Sequence, residues 1–437
     1  MSTKQNPMVK VFGQRDFRLL FGGTATSLLG DQFALIATPW LVLRLTNDPL
    51  ALGLVLALQG IPRAVFILLG GAITDRFSPR LIMFLSDAIR LVLTVLMALA
   101  VLTGSVQMWM LYAFGLGFGL VAGFAIPAGN SIVPRLVDEQ DLQAGNSAWM
   151  GMGQLIGFVG PTVAGILIGG FSKSLFGIGL AFALDAFSFA VSAACLLLMR
   201  AGGKIAAQAG AARESVWASI VAGIKYLWND RPLRLMFLVI TALNFLFVGP
   251  LEVGIPVLAD QRLAEGALAF GLLMSAYAGG NLGGYLLAGS LPKPTGRTMQ
   301  VFLVGLLTAF GAVLVALGYL RSTWIDFALM LLLGLGNGYI SITIFTWMQV
   351  RTPKELLGRM MSMLMLSNVG LVPISMALSG AISRWSLTFL FVSAGLLSLL
   401  VTAWAAFQPE IKVFSESLLV PQAAAQPDAI EPGELSA

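Results

Sequence analysis

Six ionisable side chains sit inside stretches of sequence that are otherwise apolar: Asp31, Arg63, Asp87, Arg90, Asp185 and Glu252. A charge placed in hydrocarbon is costly unless paired or hydrated. Such residues serve ion pathways, recognise charged substrates, or lock helices together as buried pairs. Asp31 belongs to a stripe with Thr24, Ser27 and Thr38, whose spacing puts all four on one helix face. Arg63 shares a face with Gln59, Gly70 and Thr74. Folding the chain back at residues 44–51 sets Asp31 level with residue 64, so Asp31 and Arg63 are expected at one depth. There they can form an ion pair, either a working one or a structural lock. Burial and a nearby guanidinium act on a carboxylate in opposite senses, which makes Asp31 a candidate for proton coupling. Arg63, with Thr24, Ser27 and Thr38 beside it, is the candidate for contact with substrate. Asp87 and Arg90 stand three residues apart on one helix and can pair with each other. Glu252 closes a further stripe of Thr241, Asn244 and Val248. It lies between Pro250 and Pro256, where a break in the helix is expected. Glu252 is a second proton-coupling candidate or an outer gate residue near water, and Asn244 a further substrate contact.

Several other chemistries are excluded. The chain contains no histidine, so a zinc–histidine site and a histidine proton switch are ruled out, and proton chemistry falls to carboxylates. Its one cysteine, Cys195, lies in an apolar run, which leaves no disulfide framework and no metal cluster. No nucleotide loop and no Ser/His/Asp set is present, so neither an enzyme nor a cofactor is expected. The net charge of +5 resides in loops rather than on one patch, which argues against nucleic acid.

The elements that must position these residues are long. With 57% hydrophobic and 11% charged residues in 437, and a mean hydropathy of +0.88, the chain is no ordinary soluble globule. Twelve runs each reach the length that crosses about 30 Å of hydrocarbon as a helix. They lie near 19–43, 52–74, 81–102, 108–130, 143–169, 175–199, 233–259, 268–290, 298–320, 325–350, 358–381 and 388–407. An all-α integral membrane protein is expected, with its twelve transmembrane helices in two six-helix pseudo-symmetric halves. With the N-terminus inside, 19 of the 26 Lys and Arg residues fall in cytoplasmic segments and five in outer loops. The positive-inside rule then places both termini in the cytoplasm.

Residues 1–200 form the first half and 233–408 the second. Between them, 201–232 is a cytoplasmic linker in which Val216, Ile220, Ile224 and Leu227 recur at helical spacing, as in an amphipathic helix lying on the inner surface. Residues 409–437 are rich in Ala, Pro and Glu and are expected to be a disordered cytoplasmic tail. A weak repeat links the halves: Asp141-Leu142, Ser147, Gly157, Pro161 and Gly165 find counterparts in Glu355-Leu356, Ser362, Gly370, Pro373 and Gly380.

Gly71-Ala-Ile-Thr-Asp75-Arg76-Phe-Ser-Pro-Arg80 joins the second and third runs. It resembles the cytoplasmic loop signature of the major facilitator superfamily, although Ser78-Pro79-Arg80 replaces the usual Gly-Arg-basic ending. Gly71 permits close helix approach, Asp75 receives an Arg or a helix N-terminus, and Arg76 and Arg80 face the anionic inner surface. The resemblance implies a cytoplasmic latch made of Gly71, Asp75, Arg76 and Arg80. Pro127-Ala128, Val133-Pro134, Asn146-Ser147, Gly160-Pro161, Leu184-Asp185-Ala-Phe-Ser-Phe189, Gln349 and Gly358-Arg359 follow in order. This series is similar to the branch containing macrolide-efflux proteins and the enterobactin exporter. Gly153, Gly157, Gly160, Pro161 and Gly165 resemble the antiporter signature of helix 5, with one residue too many after Pro161. Physically the row permits tight packing and a bend at Pro161, and close packing alone would explain it equally well. The superfamily's helix 4 arginine is missing, since 108–130 holds no Arg or Lys. In that family helices 3 and 6 are outer supports, so Asp87, Arg90 and Asp185 are expected to be structural, while helix 7 lines the cavity.

The resemblance implies a bacterial inner-membrane secondary transporter: a proton-coupled exporter of a small amphipathic or anionic drug, siderophore or metabolite, acting by alternating access. Its expected partners are a small-molecule substrate, protons and the lipid bilayer, with the protein a monomer. An importer of the same fold and a non-transporting membrane sensor or scaffold are the alternatives.

Overall fold

The computed structural model describes residues 6–74, 77–171, 174–200, 224–291, 296–352, 360, 363–365, 367 and 369–411, with the side chains of 68–74 excepted. Regular structure among these residues is helical throughout. A short α1 (Pro7–Gly13) precedes α2 (Arg15–Thr46), α3 (Pro49–Thr74), α4 (Pro79–Leu102), α5 (Met108–Ile132), α6 (Leu142–Gly170) and α7 (Phe176–Leu198). The second half comprises α8 (Arg231–Gly249), a π turn at Pro250–Gly254, α9 (Ile255–Arg262), α10 (Ala267–Ser290), α11 (Gly296–Leu317), α12 (Thr323–Arg351), α13 (Val372–Trp385) and α14 (Leu387–Ala406). In hydrocarbon every backbone N–H and C=O needs an internal partner, which a helix supplies along its whole length.

Helix ends are marked by the residues expected at caps. Asn6 and Asp230 accept from the Met8 and Leu233 amides, and Ser386 accepts from Phe389. Asn47, at φ 50°, stops α2 in the left-handed conformation that Asn tolerates, and its amide donates to the Leu43 carbonyl.

Among the described residues, ten helical segments are long and apolar enough to cross a membrane. Two expected spans fall outside that set. The one near 268–290 is α10, a 24-residue helix with six glycines that lower its hydropathy. The one near 358–381 runs through residues outside the described set and resumes as α13. Linker residues 201–223 and tail residues 412–437 are also outside it, whereas residues 224–229 are helical and bury Leu227 against Leu233 and Met236 of α8.

Packing is repeated in the two halves. In the first, α2 packs on α7, α3 on α5 and α4 on α7; in the second, α8 packs on α14, α10 on α12 and α11 on α14. Two further pairs join the halves, α6 with α10 and α3 with α13. Each joint is a glycine crossing. A Cβ on Gly165 would lie 2.8 Å from the Ala267 carbonyl oxygen and 3.1 Å from the Gly271 Cα. One on Gly53 would lie 2.9 Å from the Gly380 Cα. Only glycine allows such backbone approach. Connectivity puts both crossings at the end of the bundle remote from the chain termini, where Arg384 also reaches Asp48 at 3.6 Å across the halves. At the other end, Lys10–Asp141 at 2.5 Å and Arg351–Asp230 at 3.0 Å each stay within one half. Among the described residues, the glycine crossings and the ion pair that join the halves therefore lie at the remote end.

Candidate functional site

A cavity of about 630 Å³ opens between the halves, the size that holds a drug-sized molecule. Its wall comes from α2 to α7, with only Glu252 and Met376 contributed by the second half. The polar face of α2 enters it as the period of the stripe requires, since Thr24, Ser27, Asp31 and Thr38 all line it. Arg63 and Gln59 from α3 line it as well, and so do Asp87 and Arg90 from α4. Asn244 is not among the lining residues. Phe114, Phe118 and Trp149 supply aromatic surface, while Asn130 and Gln154 supply neutral hydrogen-bonding groups. Those five residues were missed in the sequence, although Asn130 and Gln154 are isolated polar residues in apolar helices and so carry a legible signal.

The charges pair differently from the expectation. Among the described residues no ion pair joins Asp31 to Arg63. Arg90 acts on Asp31 and Arg63 on Glu252 through their charge alone, and neither couple closes to an ion pair. Reflection about a hairpin fixes the depth of a residue but not the direction in which its helix faces, and that rotation assigns Asp31 to α4 rather than α3. Asp87 and Arg90 do not close onto each other either. Asp87 accepts a hydrogen bond of 2.6 Å from the Ser192 hydroxyl on α7. Arg90 extends between two rings, 5.7 Å from the centroid of Phe118 and 5.6 Å from that of Phe189. A guanidinium stacked in this way gains cation–π attraction where water is excluded. Asp185 is fully buried on α7, behind the cavity wall.

Helix 7 of the sequence reading is not broken at Glu252. It runs continuously through the π turn Pro250–Gly254, and Pro256 falls in the first turn of α9. Pro250 has no amide to donate, and the wider i→i+5 pattern absorbs the loss without a break. The turn aims Glu252 inward across the cavity instead of leaving it at an outer gate.

The glycine row of α6 divides into two parts. Gly153 lines the cavity, and a Cβ on Gly153 or Gly157 would meet nothing within 4 Å. Gly160 lies against Gln32 of α2, and Pro161 and Gly165 lie against α10. There the Ser275 hydroxyl receives both the amide and the hydroxyl of Thr162, at 3.0 and 2.8 Å. Close packing thus accounts for Gly160 and Gly165 but not for Gly153 and Gly157.

Asp75 and Arg76 lie outside the described residues, and Gly71 falls in the last turn of α3. Arg80 donates to the carbonyls of Leu196 and Leu197 at 2.6 and 2.9 Å. It caps the C-terminus of α7, where cations are favoured.

A family model described as Major Facilitator Superfamily matches residues 20–373. The chain is 28% identical to the MFS-type transporter y4rN of Sinorhizobium fredii over 390 residues, covering 88% of this chain and 92% of that protein. It is 24% identical to the multidrug efflux pump Tap of Mycolicibacterium fortuitum over 420 residues, 94% of this chain and 98% of that one. Among solved structures, the nucleoside transporter NupG superposes with a TM-score of 0.70 at 13% identity, covering 92% of this chain and 99% of that chain. At that identity the likeness is one of fold.

Proposed function

The chain belongs to the Major Facilitator Superfamily and is a multi-pass membrane transporter, and from that premise we propose that it exports small amphipathic molecules across the bacterial inner membrane in exchange for protons. Both termini then lie in the cytoplasm and the protein works as a monomer. The observation that carries the reading is the charge of the cavity wall. Three carboxylates, Asp31, Asp87 and Glu252, face two guanidiniums, Arg63 and Arg90. A substrate bearing a positive group competes with protons for the same acids, and that mutual exclusion is what turns binding into exchange. With three acids against two guanidiniums, the charge balance favours cationic amphipaths over anionic ones. Aromatic surface from Phe114, Phe118 and Trp149 suits the apolar part of such a molecule.

Alternating access follows from the joints. With the glycine crossings closed at the remote end, the cavity is reached from the side of the termini, where a cytoplasmic substrate enters. Rocking the halves apart at the crossings exposes Asp31 and Glu252 to outside protons, which displace the substrate. The extensive similarity to a protein named as an efflux pump supports export.

Inverted membrane vesicles given an imposed pH gradient test this, with ethidium as the cationic probe and a fluorescent anion of similar size beside it. Gradient-driven accumulation of ethidium, lost in Asp31→Asn, is expected. Uptake of either probe only under the reversed gradient would make the protein an importer. No movement of either under any gradient would leave the sensor or scaffold reading.

A further inference from the structure

Asp185 has no role in the cavity, and its surroundings are unusual for a carboxylate. Its exposure is 0%, and among the described residues neither side-chain oxygen has a hydrogen-bond partner. The Ser188 hydroxyl, within reach of the same carboxylate, donates to the Asp185 backbone carbonyl instead, at 2.7 Å. The next hydroxyl along α7, Ser192, is taken by Asp87. From α2, Gly30 presses on the group: a Cβ there would sit 2.7 Å from Asp185 Oδ1 and collide with the Ser188 hydroxyl. The charged groups that act on Asp185 are Asp31 from α2 and Arg90 from α4, and Asp87 is bound to the same α7 through Ser192. From α5 the Phe118 ring stacks on Arg90. Three carboxylates thus share one guanidinium, whose Nε is itself buried without a hydrogen-bond partner.

Ionising all three acids would leave two uncompensated negative charges around one guanidinium, and at Asp185 solvent does not reach. A carboxylate with neither water nor donors is far more costly than the neutral acid, which needs only one acceptor. We propose that Asp185, Asp31 and Asp87 form a proton-binding cluster around Arg90, in which Asp185 carries the retained proton. Asp31 and Asp87 line the cavity and exchange protons with water directly. Asp185 lies one layer behind them, against the residue that precedes Asp31. The cluster is built entirely from α2, α4, α5 and α7 of one half, so its geometry persists when the halves rock. Its part in coupling rests on the exchange reading above, whereas its occupancy by a proton does not.

Isotope-edited infrared titration tests the site on the full-length protein in lipid nanodiscs, with carbon-13 confined to aspartate. The signal is the carbonyl stretch of protonated aspartic acid, followed from about pH 5 to 9, the range that shifted carboxylates span. The wild type is expected to show a protonated aspartate at neutral pH, and Asp185→Asn to lose one such group per molecule. Asp326→Asn serves as the control. Asp326 is also 0% exposed with both oxygens unpartnered, but it sits in the other half, and its substitution should leave the Asp185 signal in place. Arg90→Gln, which keeps Asp185, should add a second protonated aspartate because the shared cation is gone. That variant also serves if Asp185→Asn does not fold. No protonated aspartate in the wild type at neutral pH, or a signal unchanged in Asp185→Asn, overturns the proposal. The titration needs no substrate. A protonated Asp185 in a protein that exchanges neither probe would refute the transport reading and leave the site standing.

Discussion

Replacing Gly271 by alanine would drive a Cβ against the Pro161 carbonyl oxygen and set it 3.0 Å from the Gly165 Cα. Both obstacles are backbone, so no side chain can turn aside and the two helices must separate. Overpacking of this kind costs about 1–3 kcal/mol. Alanine also favours the helix by about 1 kcal/mol over glycine, but α10 is helical whichever way the halves rock, so that gain cancels between the two states. What remains is a penalty on the state in which the remote end is closed, a shift of about 5- to 150-fold toward the state in which it is open. Spin labels at Ser174→Cys and Arg321→Cys report the separation of the halves at that end. Cys195→Ser removes the one native thiol. Double electron–electron resonance in nanodiscs should show Gly271→Ala moving population from the short to the long distance. Gly157→Ala, whose Cβ meets nothing within 4 Å, should leave the distribution as in the parent. Identical distributions for Gly271→Ala and the parent would mean that the crossing survives in both states, and the glycine joint would then not be the gate.

Asp230 both caps α8 through the Leu233 amide at 3.0 Å and pairs with Arg351 at 3.0 Å; Asp230→Ala should lower stability by about 0.5–2 kcal/mol from the cap alone, and Asp230→Asn, which keeps an acceptor, should recover most of it in chemical unfolding. Arg80→Gln removes two charged hydrogen bonds from the end of α7 and should cost about 1–2 kcal/mol; full stability with lost transport would assign Arg80 to the loop latch instead. The close ion pair with Asp141 holds the Lys10 pKa above its ordinary 10.5, against the opposing effect of desolvation. A raised folded-state value stabilises below the unfolded value and is lost as pH rises through the folded one. The small destabilisation of Lys10→Gln should therefore be equal at about pH 6 and 8 and shrink only above the lysine range; a difference between those two pH values in thermal unfolding would contradict the assignment.

The α2 stripe was legible because helical period alone decides which residues share a face, and Thr24, Ser27, Asp31 and Thr38 needed nothing more. Partner choice was not legible in the same way. Asp31 could be matched in depth to Arg63, yet its neighbour is set by how α2 and α4 rotate against α7, and neither rotation is written in either helix alone. Asp87 and Arg90 show a second limit. Their spacing allows a pair, but a nearby hydroxyl on α7 and two aromatic rings offered each side chain a better partner. The proline pair around Glu252 predicted a break because a missing amide ordinarily ends the ladder, and a π turn supplied the alternative. The glycines of α6 read as one motif, although Gly160 and Gly165 meet other helices while Gly153 and Gly157 do not.

The way the charges divide between the halves bears on how coupling could work. Arg63 is on α3 and Glu252 on the turn after α8, so their interaction spans the joint and must change whenever the halves move. Arg90 and its three acids belong to one half and move together. A pair that straddles the joint can sense which state the protein is in, but it cannot keep a constant proton affinity through the cycle. A cluster inside one half can keep that affinity, but has no direct sense of state. Exchange needs both properties, and the cavity brings them together because Asp31, Asp87, Arg63 and Glu252 share one wall. In the exchange we propose, a cationic molecule seated there would touch the cluster and the side chains of Arg63 and Glu252 at once. Its positive group would lower the demand for a proton on Asp31 and Asp87, and its bulk would alter the field of Arg63 at Glu252. Removing the molecule to the outside reverses both effects together. On that proposal, proton uptake and the rocking of the halves are linked by the substrate's own occupancy, without a wire of residues between them.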